Sequence, residues 1–237
     1  MFFDPMYWLI IGIGMVLSIW ASMKTKGTFH KFSQYTTQSR MTGAQVAEAI
    51  LRDAHITGVQ IVPIPGNLTD HYDPRSKVLR LSEGVYGSTS MSAAGVAAHE
   101  VGHAIQHAQN YAPLKFRSAW VPVANVGGGI SIFILIAAAM LGGAATVLGS
   151  KLALAGVVLF ATTTLFTLVT LPVEFDASHR ALAMLKRGGY LTPEEQRGAK
   201  SVLDAAALTY VAAFVSSALT LFYWAMRLGL LGGRRSD

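Results

Sequence analysis

Four stretches without a single Asp, Glu, Lys or Arg divide this chain of 237 residues: 5–23, 118–150, 152–173 and 205–226, with lengths of 19, 33, 22 and 22 residues. An α-helix needs about 20 apolar residues to cross the hydrocarbon core of a bilayer, so each stretch holds one span and four transmembrane helices is the economical reading. Composition agrees, with 52% of residues hydrophobic and 14% charged, against roughly 25% charged in an average soluble domain. The net charge of +6 would suit nucleic acid only if Lys and Arg clustered on one soluble face beside aromatic platforms. Here they flank the apolar runs, so the expected partner is a lipid bilayer and not nucleic acid. The chain has no cysteine, which excludes disulfide frameworks and thiolate metal sites and leaves His, Asp and Glu as metal ligands.

The longest stretch opens with Pro122 and a glycine run at 127–129, which places its span at 126–148 and leaves 119–125 at the interface. Gly149, Ser150 and Lys151 are then expected to form a tight hairpin into the span 152–173, and 205–226 is the last. The first stretch follows Asp4 and precedes Lys24, Lys26 and Lys31, the pattern of a retained anchor at 5–23 rather than a cleaved signal peptide. Ten of the 19 Lys and Arg lie in 24–117 and five in 174–204. The hairpin puts these two segments on one side, which the positive-inside tendency makes the cytoplasm, with both termini outside. Arg227, Arg234 and Arg235 run against that orientation.

Between the first two spans the sequence changes character, and 24–118 reads as a small α+β domain. Thr42-Gly43-Ala44-Gln45 is a capping box leading into Val46, Ala47, Ile50, Leu51 and Ala54 at helical spacing, which predicts a helix to about His55. The alternating runs 59–62 and 77–81 predict strands, and Asp73-Pro74-Arg75-Ser76 between them a turn; a small antiparallel sheet is expected. The Ser-rich stretch 88–92 offers N-caps for a second helix over 93–109. The fold class is mainly α and integral to the membrane, with four transmembrane helices and a small α+β portion carrying the second helix.

That helix contains His99-Glu100-Val101-Gly102-His103, an HExxH motif. Positions four apart share one helical face about 6 Å apart along the axis, so two imidazoles can converge on one zinc ion. Glu100, beside the first ligand, can act as general base toward a water that attacks a peptide carbonyl, and pass the proton to the leaving amine. The alternative is a polar helix face of solvated histidines. Burying two neutral imidazoles and a carboxylate without a metal or partner costs several kcal/mol, so that alternative requires them exposed. A catalytic zinc needs a third protein ligand and an open position. His107 extends the series, but at about 12 Å along the axis from His99 it cannot meet the same ion and belongs at the rim. Carboxylates on the same side remain, and Glu174 stands out because it is expected to begin a helix where the third span ends.

On these residues the chain resembles the YugP-like membrane zinc metallopeptidases, relatives by motif of the HtpX and CAAX-prenyl-protease gluzincins. The resemblance covers nearly the whole chain through KGTF (26–29), MTGAQVA (41–47), LTDHYDP (68–74), VLRLSE (78–83), AAHEVGHAIQH (97–107) and LPVEFDAS (171–178). It implies one Zn2+ ion held by His99, His103 and Glu174, with Glu100 as general base, and a peptide or protein substrate. In the wider gluzincin pattern an Asp four residues after the ligand Glu orients a ligand His; here that position is Ser178. The orienting role therefore falls to Ser178, to Asp176 or to a group elsewhere. His179 and Arg180 are candidates for an oxyanion or proton-donor role, with an Asp176 to Arg180 surface pair as the alternative for Arg180. His71 and Tyr72 would approach the carbonyl if an extended substrate added as a strand at the sheet edge; the alternative is an exposed loop without a role.

Two other function classes bear comparison. A site-2-type intramembrane protease carries HExxH within a span and takes its third ligand from an LDG-like segment, and neither feature is present. A zinc-binding membrane scaffold without catalysis has no need of Glu100. The expected function is a zinc endopeptidase of membrane-protein processing or quality control, with nothing here to name its substrate or its oligomeric state.

Overall fold

The computed structural model describes residues 4–227 and 229; Arg234 and Arg235, whose charges bear on orientation, lie outside the described residues. The elements in order are α1 (Pro5–Ser33), α2 (Gly43–Asp53), β1 (Gln60–Ile64), β2 (His71–Asp73), β3 (Val78–Ser82), α3 (Glu83–Tyr86), α4 (Met91–Ala108), α5 (Ala112–Met140), a 3-10 turn (Gly143–Ala145), α6 (Val147–Arg187) and α7 (Pro193–Arg227). The chain is mainly α with a small α+β portion, and α1, α5, α6 and α7 are each long and apolar enough to cross a membrane. The residues group into two units.

The first unit comprises 4–20, Phe116–Thr170 and 210–227. Its interior holds Leu135, Ala138, Ala153, Phe160, Tyr223 and Trp224. Small residues allow its helices to approach: Gly128 faces Thr163, and Gly14 faces Ser216. Large apolar side chains such as Val126, Phe133 and Val158 point outward, a surface suited to lipid tails rather than water.

Helices α1, α6 and α7 are longer than their charge-free stretches, whereas α5 starts earlier than its own but ends at Met140, and the hairpin falls elsewhere. The expected turn at 149–151 lies inside α6; the chain reverses instead at 141–146, where Gly142 and Gly143 take φ of 90° and 56°, a region open to glycine without strain. Thr146 then caps α6, its Oγ1 accepting from the Gly149 N–H at 3.0 Å. Residues 119–125 are helical in α5, which runs through Pro122. Glu174 does not begin a helix but lies inside α6, which runs through Pro172. Each proline removes one backbone donor, and a long helix packed among others absorbs that loss.

The second unit comprises Ala21–Lys115 and Leu171–Thr209. The capping box at α2 forms: Thr42 Oγ1 accepts from the Gln45 N–H at 3.2 Å, and Gln45 Oε1 from the Thr42 N–H at 2.8 Å. A second reciprocal pair, Thr192 with Glu195, starts α7, and Glu195 also accepts from the Gln38 N–H. Ser90 caps α4. The core is built from Val46, Ile50, Leu79, Leu81, Val101 and the alanines of α4.

The sheet is not simply antiparallel. Its order is β1-β3-β2; β1 pairs β3 in parallel with Gln60 opposite Val78, while β2 pairs β3 antiparallel with His71 opposite Arg80. The turn at 73–76 joins β2 to β3, so the antiparallel place beside β3 is taken by the short strand. β1 then occupies the other edge in parallel, with enough intervening chain for the crossover that a parallel pair requires.

Candidate metal centre

Helix α4 sets His99 and His103 on one face with ring centroids 4.8 Å apart. Gly102 between them lets α6 come close: a Cβ at this position would stand 3.1 Å from Ala177 Cα and would drive into the Ala177 carbonyl. That close approach brings Glu174 of α6 to the histidine pair, its Oε2 3.2 Å from His99 Nε2 and 3.5 Å from His103 Nε2. One ligand atom from each of the three residues lies within 4.8 Å of the other two. Glu174 is only 3% exposed and His103 8%, so the alternative of solvated histidines does not describe this face.

The donor set suits a metal. Each imidazole turns Nε2 toward Glu174 while its other nitrogen already has a protein partner, Ser178 Oγ at 3.0 Å for His99 and Gln106 Oε1 at 3.0 Å for His103. Two ring nitrogens and a carboxylate are the protein ligands of one class of catalytic zinc site. Burial alone would raise the Glu174 carboxyl, but the hydrogen bonds and charge of His103 and His99 hold it well below the usual carboxylate range.

Glu100 sits beside this cluster, 7% exposed. Burial pushes its carboxyl up to about 7, the charges of Glu174 and Asp70 add to the rise, and His99 and the Tyr72 backbone N–H oppose it. A carboxyl poised near neutrality suits a group that takes and returns a proton. The Tyr72 contact also locates strand β2 beside Glu100. Asp70, just before β2, accepts from the Ser82 N–H at 2.7 Å and from the Ser82 hydroxyl, tying the start of β2 to the end of β3; burial raises its pKa too.

The other candidate residues separate. Ser178 meets His99, whereas Asp176 touches no ligand histidine and instead accepts from Gln106 and Arg180. Arg180 forms the i+4 pair with Asp176, reaches Gln109 and lies over the Tyr111 ring. His179 is exposed. His107 stays out of the cluster, its Nδ1 2.9 Å from the Tyr72 hydroxyl. His71 is on the exposed edge of β2, with Nδ1 on the Thr69 carbonyl at 2.8 Å. Gln106 was not among the expected residues. Its signal was its place three residues after His103, on the same helical face.

The family model described as "putative neutral zinc metallopeptidase" matches residues 7–229. The chain belongs to that family. It is also 43% identical over 210 residues, 89% of this chain and 91% of the relative, to "Putative membrane protease YugP" of Bacillus subtilis (strain 168). No solved structure matches. The resemblance read from the motifs therefore stands, and the four apolar helices suit a relative that is named a membrane protease.

Proposed function

We propose that the protein is a zinc-dependent endopeptidase of the bacterial inner membrane, with its site open to the cytoplasm, that hydrolyses peptide bonds during membrane-protein processing or quality control. The observation that carries this reading is the convergence of His99, His103 and Glu174 on one point beside a buried Glu100. His99 Nε2, His103 Nε2 and a Glu174 oxygen would hold one ion. Zinc, when bound, supplies Lewis acidity and lowers the pKa of water toward 7.

The chain's own groups do the rest. Glu100 takes the proton of the attacking water and delivers it to the leaving amine. With His99 Nε2 on an ion, its Nδ1 would carry the proton and donate to Ser178 Oγ, which fixes that ring. β2 is an edge of the sheet lying against Glu100, so an extended peptide can align along it through backbone hydrogen bonds that depend little on sequence. The cytoplasmic orientation rests on the Lys and Arg of 24–117 and 174–204.

The decisive experiment uses full-length protein in detergent, with metal content measured and cleavage of an unfolded protein followed for wild type and Glu100→Gln. Retained zinc with cleavage reduced about 10²- to 10⁴-fold supports the reading. Equal cleavage by both ends it, and zinc binding without cleavage in the wild type favours a scaffold. Cysteine labelling in this cysteine-free chain tests topology: a cysteine at Gln196 that reacts only from outside reverses the orientation.

A further inference from the structure

An imidazole offers a metal the lone pair of one nitrogen when its proton sits on the other, so what the far nitrogen touches decides whether the ring is ready to bind. For His99 that partner is the Ser178 hydroxyl, which can both donate and accept and so does not by itself dictate the proton's place. For His103 the partner is Oε1 of the fully buried Gln106. The amide Nε2 of Gln106 donates to the Val173 carbonyl at 2.8 Å and to Asp176 Oδ2 at 2.7 Å. Both partners are acceptors and together they use both amide hydrogens. A flipped amide would set its oxygen against a carbonyl and a carboxylate. Oε1 therefore faces His103, and because it only accepts, Nδ1 of His103 carries the proton and Nε2 keeps the lone pair on the side of Glu174. Asp176 is braced in turn by Arg180.

We propose that Gln106 is a positioning residue of the metal centre: anchored on α6 through Val173 and Asp176, it holds His103 in the one tautomer and ring orientation that present Nε2 to an ion shared with His99 and Glu174. The inference rests on the metal-site part of the proposed function and not on peptidase activity. It makes about one turn of α6 responsible both for the third ligand and, through residues 173 and 176, for readying the second.

The test titrates metal-stripped, full-length protein in detergent with zinc against a competing chelator, and records the visible spectrum of the cobalt-loaded form. Gln106→Met keeps the bulk of the side chain but loses its acceptor and both donors. Gln106→Glu keeps an acceptor for His103 Nδ1–H and loses both donors toward α6. Zinc binding about 10- to 100-fold weaker in Gln106→Met, with an altered cobalt spectrum, and an affinity closer to wild type in Gln106→Glu, is the expected result. A residue that merely ties α4 to α6 gives the reverse order, because Met and Glu both lose the two ties and Glu also sets a second carboxylate against Asp176; Glu as weak as Met, or weaker, overturns the proposal. Wild-type affinity in a folded Gln106→Met also overturns it. Should Gln106→Met not fold, Asp176→Ala removes one of the two acceptors that orient the amide: weaker zinc binding supports the proposal and unchanged binding overturns it. A wild type that binds zinc, loses affinity in Gln106→Met and cleaves nothing retires the peptidase reading alone. An active peptidase whose zinc affinity ignores Gln106→Met retires this proposal alone.

Discussion

The two units of this chain solve opposite packing problems. In the first, large apolar side chains such as Phe133, 74% exposed, point outward, and the charged residues are Asp4, Arg117, Lys151 and Arg227 among those described. Glycine and hydroxyl residues face one another between its helices. In the second, apolar side chains such as Leu79, Leu81 and Val101 point inward, and the polar residues His103, Glu100, Gln106 and Glu174 are buried among them. Lipid offers no hydrophobic drive to bring helices together, so close contact of small residues does that work. Around the candidate metal centre water drives the collapse, and each buried polar group then needs a partner or a ligand.

The sharpest way to break this contrast is to remove a donor. Glu174→Ala is expected to abolish stoichiometric zinc binding, and with it the stabilisation that zinc gives the loaded protein, about 2.7 kcal/mol at a free concentration one hundred times the Kd. Thermal unfolding in detergent with and without zinc reads this out, and an unchanged zinc-dependent shift would refute the site. Next comes the core: Leu81→Ala, at a position with no exposure, should cost about 2–5 kcal/mol, while Phe133→Ala should leave unfolding nearly unchanged. Comparable losses in both would show that the outward face is packed against protein.

A smaller effect compares glycines. Gly102→Ala meets the Ala177 backbone, whereas no atom stands within 4 Å of a Cβ at Gly129. The first should cost about 1–3 kcal/mol and weaken zinc binding as α6 is pushed away; the second should be neutral or stabilise by up to about 1 kcal/mol. The smallest effect is a pH dependence at the hairpin of the second unit. The Ser76 hydroxyl and the Arg75 backbone N–H hold the Asp73 carboxyl down to about 2. A depressed folded pKa gives stability that is present above the unfolded value of 3.8 and lost as pH falls toward 2. Asp73→Asn should flatten unfolding curves across that window, and unchanged curves would remove Asp73 from the account.

Much of this was legible in the chain itself. Charge-free stretches disclose apolar spans because hydropathy is a sum over neighbours in sequence. The Thr42 capping box and the Ser90 cap are readable because their partners lie three residues away. The HExxH face follows from helical periodicity. The errors share a cause as well. Alternation in 59–62 and 77–81 reports which side chains are buried but not strand direction, so the parallel pairing of β1 with β3 was hidden. The turn fell at Gly142 and Gly143 instead of Gly149 because several glycines compete within one apolar run and only packing chooses among them.

The chain's own order of residues determined a membrane-spanning helical protein with two histidines and a glutamate on one turn, since each of these depends on positions a few residues apart. Tertiary structure alone decided that Glu174 reaches His99 from inside α6, that Ser178 rather than Asp176 meets His99, and that Gln106 is held by Asp176. Those contacts join residues some 70 to 80 positions apart. They exist because Gly102 permits α4 and α6 to approach to backbone contact, a condition no local pattern encodes.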